Sequence, residues 1–422
     1  MRVTTAFNRL LALPGTTVRD VSFEPAQITV TVALRRRRLA CADCSHSSRA
    51  RYDTRTVHSS WRHLDLGRLR LVVKAKLRRI DCPEHGVRTE GVPFARVESG
   101  FTRDFEDLVA WLATRMDKTA VRRLLRVAWQ TVGAICARVV ADRLNPDRLE
   151  ALFEVGIDEV SWRKGHRYLT LVTDHRSGKV VWGAEGKDTA TCDQFFAELG
   201  ADRAAKLTAV STDMGAAYLK SVAKPAHAPK ATVCIDPFHV VALASDALDQ
   251  VRRQVWNQLR AVDPDKAKKF KGARWVLLKR PERLTDTQAA SLRTLRRHGG
   301  AAWRAYGLKE ALRAVFAGDL TPSETTELLD RWCVKAARSR LEPFVKLTGT
   351  VRTHRDGILA AIRLGINNAR VEALNNKVRL ITRRAYGFHS AQAALALVML
   401  ACGPITLRLP HEQTHVHPHS AK

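Results

Sequence analysis

Apolar and polar positions alternate with period two through much of the first hundred residues. Val18, Val21 and the run 28–34 predict strands, and 68–80 alternates again as a basic β-ribbon. From Phe101 the period becomes helical, with Phe105, Leu108, Val109 and Leu112 on one face of a first helix. A short helix over 117–125 opens on the cap-like Asp117, a turn covers 126–128, and a further helix runs over 129–140. Asn145 and Pro146 end it. Strands then return at 153–160 and 167–173, joined by a polar turn around Gly165, and at 179–183. A helix is expected over 189–205, a buried strand over 207–212 running into Asp213, a roughly helical stretch over 216–222, and a second buried run over 231–235 running into Asp236. Residues 246–259 form an amphipathic helix, 285–363 read as wholly helical, and an apolar helix covers 391–402. Before that last helix, Val371, Leu374, Val378 and Ile381 form an apolar helical face, while Glu372, Asn375, Asn376 and Arg379 form a polar one.

Composition narrows the partners. The 422 residues suit two to four domains, and a hydrophobic share of 45% supports a sizeable core. Lys and Arg number 71 against 42 Asp and Glu, a net charge of +29, spread over both halves of the chain. That surplus points to polyanions, although an Arg-rich composition also follows from a GC-rich genome. Eight Cys form no regular disulfide framework, and neither a secretory core nor an apolar run of membrane-spanning length is present. The expectation is a cytosolic, nucleoid-associated protein in which paired cysteines mean metal rather than disulfide.

Cys41 and Cys44, then Cys82 and His85, have the spacing of two zinc knuckles, with His46, His58 and His63 as competing ligands. The helix-turn-helix layout of 101–140 suits DNA, with Arg126, Gln130 and Thr131 as contacts, though an ordinary helical hairpin fits the same pattern. Lys266, Lys268, Lys269 and Lys271, interleaved with Phe270 and followed by Trp275, suit a surface that tracks DNA or a plain solvated helix. His411, His415, His417 and His419 lie in a tail expected to be disordered.

The strand that carries Asp158, followed by a β-meander, is how an RNase H-like sheet places its first metal-binding acid. A surface Asp at a strand end is the alternative. Asp213 ends a second strand, and Glu372 lies among amides and cations on a helix. These motifs, namely Gly156 to Glu159 with Trp162 to His166, Ser211 to Met214, Asp236 to His239, Glu372 to Lys377 and Arg384 to Phe388, resemble the ISL-three family of insertion-sequence transposases over essentially the whole chain. The resemblance implies a multidomain α+β protein. Its parts would be a zinc-binding β module (1–100), a helix-turn-helix (101–146), and an RNase H-like catalytic domain (147–245 and 363–405) interrupted by a helical insertion (246–362), with a tail at 406–422. It implies a catalytic triad of Asp158, Asp213 and Glu372, and matches Asp236 and His239 to an accessory motif. Two departures stand out: Ala373 where the family usually has Gly, and His85 where the fourth zinc ligand is commonly Cys.

The implied reaction is two-metal cleavage of element ends and transfer of the freed 3′ ends to target DNA, using Mg²⁺ or Mn²⁺. Asn375, Asn376, Lys377 and Arg379 would meet DNA, with Lys377 and Arg379 neutralising flanking phosphates. The partners expected are double-stranded DNA and further copies of the chain, with no membrane. A DNA-binding regulator with an inert nuclease fold, or a nuclease that does not join, are the rival readings.

Overall fold

The structure is a computed structural model. It describes residues 1–412 apart from 317, 319, 367, 368 and 386, and of 369–372 only the backbone. The side chain of Glu372, that of Val371, and the histidines at 415, 417 and 419 therefore lie outside the described residues. The chain divides into two compact units, Met1–Pro146 with Leu380–Lys422, and Asp147–Arg379.

The first unit opens with α1 (Val3–Leu11), which packs on β1 (Thr16–Phe23). There follow β2 (Gln27–Leu34), β3 (Leu39–Ala40), β4 (Ser47–Ser48), β5 (Asp53–Thr54), β6 (Ser59–Leu66), β7 (Leu69–Ala75), β8 (Arg78–Cys82) and β9 (Gly86–Thr89). A sheet of order β1-β2-β7-β6 buries Ile28, Val30, Val32, Leu71 and Val73 on one face, the period-two pattern read from the sequence. The ribbon expected over 68–80 is two strands: β7 pairs in this sheet, and β8 leaves it for a small sheet of order β5-β8-β9.

Helices α2 (Arg103–Ala113), α3 (Lys118–Leu125) and α4 (Trp129–Arg143) come next. Thr102 caps α2, and Asp117 caps α3 by accepting from the Ala120 N–H. Arg126 ends α3 in the left-handed region at φ 53°, and α3 and α4 meet at 100°. That angle belongs to a helix-turn-helix.

In the second unit β10 (Glu154–Arg163), β11 (Arg167–Asp174) and β12 (Lys179–Glu185) form an antiparallel meander. The helix expected over 189–205 is two, α5 (Thr189–Leu199) and α6 (Ala201–Ala204), because Gly200 at φ 77° interrupts it. β13 (Ala209–Thr212), α7 (Ala216–Val222) and β14 (Thr232–Ile235) follow, giving a five-stranded sheet of order β12-β11-β10-β13-β14. β10, β13 and β14 run parallel.

The helix expected over 246–259 begins nine residues earlier, as α8 (Pro237–Val262). Asp236 caps it and Pro237 starts it, a signal that the strand-end reading of this motif overlooked. Then come α9 (Pro264–Lys271), α10 (Ala273–Leu278), α11 (Asp286–His298), α12 (Gly300–Val315), α13 (Pro322–Ala337), α14 (Glu342–Thr353) and α15 (Arg355–Arg363). These helices share one apolar core around Leu248, Leu312, Trp332 and Phe344. α15 lies directly on β14: a Cβ at Gly357 would stand 2.8 Å from Ile235 Cγ1, so only glycine allows this approach.

α16 (Ala369–Arg384) starts in the second unit and ends in the first, where α17 (Ala391–Cys402) packs on α4 and α2. Residues 363–405, expected to return to the catalytic sheet as one piece, thus divide within α16. The apolar α17 finds its partners among the helix-turn-helix helices. Among the described residues no single helix is long and apolar enough to cross a membrane.

Candidate active site and metal centre

Three parallel strands bring three aspartates to one rim of the second unit. The register aligns Ile157 with Thr212 and Thr212 with Ile235, so the next positions are Asp158 within β10 and Asp213 and Asp236 just past the ends of β13 and β14. Neighbouring strands lie about 4.8 Å apart, which fixes the side-by-side placement of the three.

Both oxygens of Asp158 are engaged. Oδ1 accepts from the Glu159 N–H at 2.8 Å, and Oδ2 accepts from Asn375 Nδ2 at 2.5 Å. Burial pushes the Asp158 carboxyl above its ordinary range and the charge of Asp213 adds to this, against the lowering effect of the Glu159 N–H, His239 and Asn375. Glu159 is raised too, by burial first and then by Asp213 and Asp158. Burial is the first cause at both groups, so these carboxyls lack the solvation that a divalent cation would replace.

Asp213 Oδ1 accepts from the Gly215 N–H at 2.9 Å, and a Cβ at 215 would sit 2.7 Å from that oxygen, so the turn closes only over glycine. Beneath the acids lies Tyr218, 2% exposed, its hydroxyl 3.0 Å from Thr170 Oγ1. Burial, then the charges of Glu159, Asp213 and Asp158, hold its phenol protonated. Asp236 is buried, accepts from the Phe238 N–H at 2.9 Å, and has His239 Nε2 3.6 Å from its Oδ2.

The polar face of α16 splits. Asn375, expected to meet DNA, is buried and spent on Asp158. Asn376, Lys377 and Arg379 are exposed, with an Arg379 guanidinium N–H donating to Asn376 Oδ1 at 3.1 Å. Glu159 and Tyr218 were not singled out from sequence. Strand parity turns Glu159 away from Asp158, and a lone Tyr on a short helix carries no signal; only the adjacency of Glu159 to Asp158 could have pointed to it.

In the first unit Cys41, Cys44, Cys82 and His85 gather with their ligand atoms all within 4.8 Å of one another. Cys44 Sγ lies 3.6 Å from Cys82 Sγ, which lies 3.7 Å from His85 Nδ1. With Zn–S bonds of about 2.3 Å, the edge of a tetrahedral site is about 3.8 Å, so this donor set fits zinc. Burial opposes a low value at Cys82, but hydrogen bonds from His85 and the backbone bring its thiol down to about 6. His46, His58 and His63 are not in the cluster. His63 is buried instead, bonded to Thr102 Oγ1 at 2.7 Å.

On the helix-turn-helix, Gln130 is exposed and Thr131 half-exposed at the start of α4. Arg126, expected to contact DNA, is tied by its guanidinium to Asp65 on β6 and to the Arg68 carbonyl at 3.1 Å. It braces the β module to the turn. Lys266, Lys268, Lys269 and Lys271 are all exposed on α9, and Trp275 on α10 is exposed with the Arg274 guanidinium 5.2 Å over its ring. Phe270 turns into the helical core.

Two family models match the chain, a transposase model over 155–397 and the helix-turn-helix domain of transposase family ISL3 over 90–140. The transposase for insertion sequence element IS1557 of Mycobacterium tuberculosis is 41% identical, covering 98% of this chain and 99% of that protein. The transposase for insertion sequence element IS1001 of Bordetella parapertussis is 30% identical over 84% of this chain and 86% of its own length. A helix-turn-helix, two transposase family models and relatives 41% and 30% identical agree: the chain belongs to the ISL3 family of transposases.

Proposed function

We propose that this transposase binds the ends of an insertion sequence, cleaves the DNA there and transfers the freed 3′ ends to target DNA at the rim formed by Asp158, Asp213 and Glu372. The observation that carries the reading is Asn375 of α16 bonded to Asp158. It ties α16 to β10 next to Asp213, and residue 372 stands one helical turn before 375 on the same stripe. A sheet with an antiparallel meander joined to two parallel strands has the strand order of an RNase H-like fold, and the helices from α8 to α15 form the insertion before the third acid.

Carboxyls raised first by burial, as at Asp158 and Glu159, suit Mg²⁺ or Mn²⁺, and such ions would supply activation of the attacking oxygen and stabilisation of the leaving 3′ oxygen. The chain's own residues do the positioning. The Glu159 N–H and Asn375 hold the Asp158 carboxylate, the Gly215 N–H holds that of Asp213, and Asp236 with His239 braces the start of α8. Lys377 and Arg379 neutralise flanking phosphates. Cys41, Cys44, Cys82 and His85 hold a structural zinc, α4 reads the element end through Gln130 and Thr131, and the α9 lysines contact the backbone of the DNA. The protein works in the cytoplasm on the nucleoid, as a dimer or larger assembly that pairs two ends.

The test is incubation of the protein with Mg²⁺ and end-containing DNA. Joined products, lost in Asp158→Asn, are expected. Binding without cleavage would make the chain a regulator, and cleavage without joining a nuclease.

A further inference from the structure

Beside the acidic rim stands a large apolar ring, half-exposed, that belongs to none of the apolar cores among the described residues. α8 begins at the rim: Asp236 caps it, and the Phe238 N–H donates to Asp236 Oδ1 at 2.9 Å, with residue 238 three positions past the end of β14. The core face of this helix is taken by Val240, Ala244, Ala247 and Leu248. Phe238 is off that face and 48% exposed. Its ring meets His239 edge-on, with centroids 5.8 Å apart, and it is not among the side chains packed on the helical core. His239 in turn lies 3.6 Å from Asp236, which follows β14 in register with Asp213 after β13, so the Phe238–His239 pair borders the rim.

The substrate of such a site is a polyanion, and a chain of net charge +29 offers it many cations for its phosphates. A phenyl ring contributes nothing to a phosphate. The only apolar, planar surface that DNA presents is the face of a base, and that face is available where a base pair has opened. We infer that Phe238 stacks on an unpaired base next to the phosphate being cleaved, and so holds the element end open at the rim. This rests on the reading of Asp158 and Asp213 as the cleavage site. Phe238 is a positioning residue in it: the ring replaces the stacking that the base loses, while the aspartates act on the phosphate.

The experiment uses the full-length protein, Mg²⁺ and two duplexes carrying the element end, one fully paired and one with two mismatched pairs at the cleavage step. Loss of one aromatic stack is worth on the order of ten- to a hundredfold. Phe238→Ala is therefore expected to cleave the paired end ten- to a hundredfold more slowly than the parent. It should bind that end within about twofold as tightly. On the mismatched end it should come within about threefold of the parent rate, because the opening has already been made. Phe238→Trp should keep activity on both. Equal rates for Phe238→Ala and the parent on paired ends, or a defect of the same size on the mismatched end, would overturn the proposal. Asp158→Asn run alongside separates the two claims. If it cleaves normally, the site itself is elsewhere; if it is inactive while Phe238→Ala is unaffected, only the stacking role is lost.

Discussion

Glu372, rather than the nearer Asp236, is the proposed third acid, and the geometry supplies a reason. Asp236 is buried, and its carboxylate accepts from the first turn of α8, with His239 alongside. Glu372→Gln keeps the shape of the side chain and removes its charge, so it should abolish cleavage and joining while leaving end binding intact, as should Asp158→Asn and Asp213→Asn. Asp236→Asn is expected to be milder and to act through the stability of α8. A dead Asp236→Asn beside an active Glu372→Gln would transfer the role. Asn375 gives a second prediction at this scale. A hydrogen bond to a charged group is worth about 1.5–3 kcal/mol. Asn375→Ala should therefore raise the Mg²⁺ needed for half-maximal cleavage about ten- to a hundredfold and weaken Mn²⁺ binding measured by calorimetry. Unchanged metal dependence would leave Asn375 a packing residue. Helical spacing found the polar stripe that contains Asn375, but a stripe cannot say which of its members turns inward. Strand periodicity served better for Asp213, because a buried run that ends in a carboxylate delivers it at a strand end; Asp158 lies within β10, next to where its pairing with β13 stops.

At the scale of elements the helix-turn-helix was the most legible part, since its caps and its period are local signals: Asp117 before α3 and the face of Phe105 and Val109 on α2 behave as read. What the pattern concealed is an ionic core. Glu106 and Asp107 of α2 are 0% and 1% exposed, and Arg96 reaches both, at 3.1 and 2.6 Å, as well as Asp142 of α4 at 3.0 Å. A helical face with two acids reads as solvated, and only tertiary structure shows an arginine arriving from outside the helix. Arg96→Met leaves two carboxylates buried with fewer partners, and breaking such a pair costs about 3–5 kcal/mol. The melting temperature should fall accordingly. DNA recognition should divide between elements. Replacing Gln130 and Thr131 by Ala is expected to relax sequence preference by about 1–3 kcal/mol per lost base contact. Replacing the four α9 lysines should weaken binding to every duplex and lower the slope of affinity against salt. Similar behaviour of the two sets on specific and random DNA would refute this division.

For the molecule as a whole, the order of its parts was readable and their closure was not. Residue 213 and residue 372 are far apart in sequence, yet the helices between them form one core of their own, so distance along the chain is no obstacle to a shared site. The division inside α16 was invisible, because an unbroken helical period says nothing about which neighbours each turn will meet. A net charge of +29 attracts any polyanion alike, so preference for element ends must come from structure that places a few side chains accurately. In the first unit the small sheets around Cys41, Cys44, Cys82 and His85 have strands of two to five residues, too short to hold without a further link. Metal is that link. The intact protein should contain about one zinc per chain. The Cys41→Ser, Cys82→Ser double variant should lose it, lose preference for element ends over random DNA, and retain salt-dependent binding to both. Zinc retained in that variant, or end preference kept without zinc, would show that these four residues do not form the centre that organises recognition.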